Sequence, residues 1–79
     1  MGGRVRGFEV AYGLASLGLL LAVARWGGDR RVEARVRGLL LSFGLLGRAV
    51  VEAVYSSGSL SEAVEAVGRL AARLASGSA

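Results

Sequence analysis

The sequence predicts an all-α protein, a transmembrane-type helical hairpin followed by a C-terminal amphipathic helix, in a single domain over residues 1–79. Three observations carry this. Residues 10–24 (VAYGLASLGLLLAVA) hold no charge, a second apolar run follows a short basic stretch, and the last segment repeats apolar residues at helical spacing. A chain of 79 residues has room for one small domain only. Apolar residues make up 53% of it against one Trp, two Tyr and two Phe, so the interior is expected to be aliphatic.

Helix one is expected over about 8–26. The stretch from Phe8 to Trp26 spans about 28 Å at roughly 1.5 Å per residue, close to the bilayer core of about 30 Å. Glu9 sits at its outer end, where a carboxylate reaches the interface or pairs with Arg6. Tyr12 and Trp26 lie toward opposite ends, as interfacial aromatics do. The same stretch has a rival reading as a secretory signal, with Arg4 and Arg6 as its basic region and Ala22-Val23-Ala24 as a cleavage site. Cleavage after Ala24 would leave only 55 residues, so the segment is read as an uncleaved span.

A basic turn is expected over 27–37. Gly27-Gly28-Asp29 breaks the helix, and the charge excess of the chain gathers here: Arg25, Arg30, Arg31, Arg35 and Arg37 stand against Asp29 and Glu33. In a membrane hairpin such a turn is a positive-inside determinant, placing it in the cytoplasm and both ends outside. Alternatively, copies of the chain present these arginines to phosphate, of lipid headgroups or of nucleic acid in transit. Trp26 is the sole aromatic beside them, which argues against sequence-specific nucleic-acid recognition. The Gly-Gly pair lacks the Lys and Ser/Thr of a phosphate-binding loop.

Helix two is expected over about 38–55 (GLLLSFGLLGRAVVEAVY), with a start as early as Val32 left open. A strand over 39–47 is disfavoured by its Ala and Leu content and aliphatic length. Arg48 and Glu52 are four apart on one face. They are either a pair neutralised below the headgroups or charges exposed where the helix leaves the membrane.

Helix three is expected over about 60–75, opened by a capping box of Ser59 and Glu62. Leu60, Val64, Val67, Ala71 and Leu74 form its apolar face, with Glu65 and Arg69 paired on the other. The tail from Ser76 is expected to be disordered.

Small residues recur along both apolar helices. Gly7, Ala11, Ala15, Gly18 and Ala22 fall on one stripe of helix one, and Gly38, Ser42, Ala49 and Ala53 nearly do so on helix two. Such stripes let helices approach closely, either within one hairpin or between copies, where Gly44 and Gly47 offer further small faces. His, Cys, Lys, Thr, Asn and Gln are absent, which removes imidazole and thiolate metal ligands and most nucleophiles and bases. No catalytic activity is expected.

The run Leu17-Gly18-Leu19-Leu20-Leu21-Ala22-Val23-Ala24-Arg25-Trp26-Gly27-Gly28, followed by Arg37-Gly38-Leu39-Leu40-Leu41-Ser42-Phe43-Gly44, resembles the pattern of conjugative pilins of type IV secretion systems, in particular the archaeal DNA-import branch. The likeness covers about residues 10–55. Helix three departs from the simplest two-helix pilins. The resemblance implies a structural subunit that forms a homo-oligomeric helical filament, with the basic turn facing the lumen and phospholipid between subunits. It further implies DNA as a non-specific cargo and a secretion or import machinery as partner. The chain would reside in the cell membrane before assembly and in an extracellular filament after it. Proteolipid ring subunits of rotary ATPases share the outline, but their dense Gly-x-Gly repeat and Arg-Gln-Pro turn are missing here. A small integral membrane accessory or assembly protein is the alternative.

Overall fold

In the computed structural model, residues 2–77 are described, with side chains from Glu9 to Ser76. The expectations for the packing of Gly7 and for an Arg6–Glu9 pair lie outside the described side chains, and those for Ser78 and Ala79 outside the described residues. The chain is all-α, with helices α1 (Gly2–Gly27), α2 (Arg30–Leu41), α3 (Leu45–Tyr55) and α4 (Leu60–Gly77). The first helix is thus longer than expected, and the last continues through Ser76 and Gly77, where a loose tail was expected.

The basic segment departs most from expectation. It is helical from Arg30 onward, and the turn is confined to Gly28 and Asp29. Gly28 takes a φ of +81°, a left-handed conformation that ends α1 with little strain in a residue without Cβ. Asp29 then caps α2, its Oδ1 accepting from the Val32 amide at 3.2 Å. A single capped turn suffices to restart the helix, so the charges that follow are displayed on a helix surface.

Helix two is also divided, because Ser42, Phe43 and Gly44 form a tight turn between α2 and α3. The Ser42 hydroxyl donates to the Leu39 carbonyl at 2.6 Å, competing with the helix backbone. Gly44 follows with a φ of +77°. At 12 and 11 residues, α2 and α3 are about 18 and 16 Å long, short of the roughly 30 Å needed to cross a bilayer core. Among the described residues one helix is long and apolar enough to span: α1, over Glu9–Gly27, of which 33% is buried against the rest of the chain.

The entry to α4 follows its sequence signature. Ser59 Oγ accepts from the Glu62 amide at 3.2 Å, and Glu62 Oε1 reaches back to the Gly58 amide at 2.8 Å. α1 packs against all three other helices, and α3 packs against both α2 and α4. The molecule is a rod of 41 × 22 × 16 Å, its long dimension close to that of α1. Its core joins Leu14, Leu21 and Ala22 of α1 to Val36 and Leu40 of α2, Val50 and Val54 of α3, and Ala63 and Val67 of α4. It is wholly aliphatic, and no polar or charged residue is buried among the described residues.

Candidate association surfaces

The five arginines expected to share one surface separate into two groups. Arg25 and Arg37 turn onto the ring of Tyr55, their guanidinium carbons 4.5 and 6.0 Å from its centroid, and Arg25 also lies 5.0 Å from the Trp26 ring. Arg37 Nη1 donates to the Tyr55 hydroxyl at 2.9 Å, and that hydroxyl donates to Glu33 Oε2. Glu33 and Arg37 reach the same ring because they are four apart on the face of α2 turned to α3. The cluster ties together the ends of three helices, and one buried atom, Arg25 Nε, has no hydrogen-bond partner. Tyr55 is the residue that sequence reasoning missed, since it lies 18 positions from its hydrogen-bonding arginine and no local spacing joins them.

Arg30, Arg31 and Arg35 remain exposed. Arg31 and Arg35 flank a shallow, open depression beside Val32. These three, and not five, form the available basic surface.

The stripe on α1 is mostly taken up within the molecule. Ala11 and Ala22 are buried, Ala15 is half-buried, and a Cβ placed on Gly18 would lie 2.8 Å from Val50 Cγ1 and 2.9 Å from Val67 Cγ1. The stripe therefore seats α3 and α4 of the same chain. Ala11 and Ala15 also line a shallow apolar groove of about 240 Å³ with Tyr12, Ala71, Ala72 and Ala75. The second stripe is weaker: Ala49 and Ala53 are half-buried, whereas Gly38 and Ser42 are exposed, and Gly38 faces open space. The glycine that matters there is Gly47, whose Cβ would fall 1.6 Å from the Leu40 carbonyl oxygen. Arg48 Nε and Glu52 Oε2 are 3.3 Å apart with side chains 66% and 68% exposed. The pair is formed, and no other part of the described chain covers it.

Two apolar surfaces are left uncovered. One is the outer face of α1, where Tyr12 (70% exposed), Leu19, Leu20 and Val23 stand opposite the core. The other is the elbow between α2 and α3, formed by Leu39, Leu41, Phe43, Leu45 and Leu46, with Leu45 83% exposed. Isolated exposed leucines are ordinary, but here several share one face and leave apolar area open to solvent. No protein-family model, curated protein or solved structure matches this chain.

Proposed function

We propose that the chain is a non-catalytic structural subunit that assembles with copies of itself and with lipid into a filament, as conjugative pilins do. The uncovered outer face of α1 carries this reading. It runs from Tyr12 through Ser16, Leu19, Leu20 and Val23 to Gly27 without a charge, along the one described helix long and apolar enough to cross a bilayer. In water that face needs cover, and a contact that repeats head to tail without closing yields a helical array. Lipid held between copies would offset the charge of Arg30, Arg31 and Arg35, and DNA, if carried, would pass without sequence readout. The division of helix two at Ser42–Gly44 favours a second reading, a membrane accessory protein anchored by α1 alone.

The test is electron microscopy of material sheared from cells, comparing the native chain with Leu20→Glu/Val23→Glu. Thin fibres containing the native chain and lost in the variant support the filament. Recovery only in the membrane fraction supports the accessory protein. A detergent-free monomer would overturn both.

A further inference from the structure

We propose that the elbow between α2 and α3 docks the subunit onto an anionic bilayer, with Phe43 and Leu45 entering the acyl boundary while Arg35 and Arg31 meet lipid phosphates. The proposal rests on the lipid part of the reading above and adds the element that meets the headgroups.

The elbow is apolar where folding does not require it. Leu40 and Gly47 are buried and close the hairpin, while Leu39 just before them and Leu41, Phe43 and Leu45 between them are exposed. Arg31, Arg35 and Leu39 recur every four residues, so a single stripe of α2 runs from basic to apolar toward the tip. With the hairpin standing on its elbow, Arg35 lies about 6 Å and Arg31 about 12 Å behind Leu39. The headgroup layer is about 5–8 Å thick on each side of the hydrocarbon core. Leu39 at the boundary therefore places Arg35 among the phosphates, and the long side chain of Arg31 reaches down to them.

Charge selects the occupant. Neither Arg31 nor Arg35 has an ion pair or side-chain hydrogen bond among the described residues, whereas Arg48 on α3 is already matched by Glu52. A second copy seated on the elbow would bring the same unmatched arginines with it, but an anionic lipid surface neutralises them. The outer face of α1 is uncharged between Tyr12 and Gly27 and has nothing to select a headgroup.

The native chain contains no cysteine, so Leu45→Cys supplies a unique site for an environment-sensitive fluorophore, and Tyr12→Cys supplies one on α1. The full chain is mixed with phosphatidylcholine vesicles with and without phosphatidylglycerol, after circular dichroism shows each variant to be as helical as the native chain. The label at position 45 is expected to brighten on the anionic vesicles and to be quenched by lipids labelled in the acyl chain. Arg31→Gln/Arg35→Gln should weaken this binding about 30-fold, at about fivefold per arginine, and leave helicity unchanged. Equal response to neutral vesicles, or a response at position 12 without one at 45, would overturn the proposal. So would a signal at 45 that rises with protein concentration in the absence of vesicles, which assigns the elbow to a second copy. Fibres without an elbow signal refute the docking alone, and an elbow signal without fibres refutes the filament alone.

Discussion

Replacing Gly47 by Ala should force α2 and α3 apart, and the size of the effect follows from one close approach. The added Cβ would lie 1.6 Å from the Leu40 carbonyl oxygen and 2.6 Å from its carbonyl carbon. Carbon and oxygen approach to about 3.3 Å at closest in proteins, so the two helices must separate by roughly 1.7 Å. The obstacle is backbone, which cannot swing aside as a flexible side chain would. Leu40 is fully buried, and moving it loosens its packing in the shared core with Val36, Val50 and Val54. Overpacking costs about 1–3 kcal/mol where side chains can yield, and against an unyielding backbone carbonyl the cost is taken above that range, at about 3–5 kcal/mol. Alanine recovers about 1 kcal/mol of helix propensity over glycine. The net loss is therefore about 2–4 kcal/mol, against a total stability on the order of 4–12 kcal/mol for a chain of this length. Thermal denaturation followed by far-ultraviolet circular dichroism should show Tm lowered by roughly 10–25 °C. Gly68→Ala is the control, since it is exposed in α4 with open space around its Cβ position. It should raise Tm by about 4–8 °C through propensity alone. Gly47→Ala matching Gly68→Ala would refute the close approach and the tight α2–α3 turn with it.

Two further substitutions test the ends of the hairpin. Tyr55→Phe removes the hydroxyl between Arg37 and Glu33 and should cost about 0.5–1.5 kcal/mol. Tyr55→Leu also removes the ring beneath both arginines and should cost at least about 0.5 kcal/mol more. Equal urea midpoints for the two variants would show that the stacking contributes nothing. For Arg48 and Glu52, a double-mutant cycle to alanine should give a coupling of about 0.3–0.5 kcal/mol, as for solvent-screened helix pairs. A coupling of several kcal/mol, with Glu52→Ala more damaging than the double replacement, would place the pair in a dry environment instead.

What the sequence determined by itself was local. Helix content, the break at Gly28-Asp29, the Ser59–Glu62 cap and the aliphatic interior all follow from neighbours within about four residues, which one strand of text displays. The close packing at Gly18 was legible for the same reason, because the i, i+3, i+4 stripe implies a face even before its partner is known. The tertiary structure decided the rest. Val50 and Val67 occupy that face, which composition could not assign to the same chain or to another copy. Gly47, and not Gly38 or Ser42, carries the close approach on the second stripe, because only the fold of α2 back upon α3 brings a carbonyl against it. The basic stretch reads as one unit of charge in sequence. A capped helix start and a tyrosine far along the chain divide it into arginines stacked inward and arginines left facing out. Side-chain direction on a helix is set every 100°, so residues adjacent in sequence are sent to different environments, and only the packing of other helices decides what each one meets.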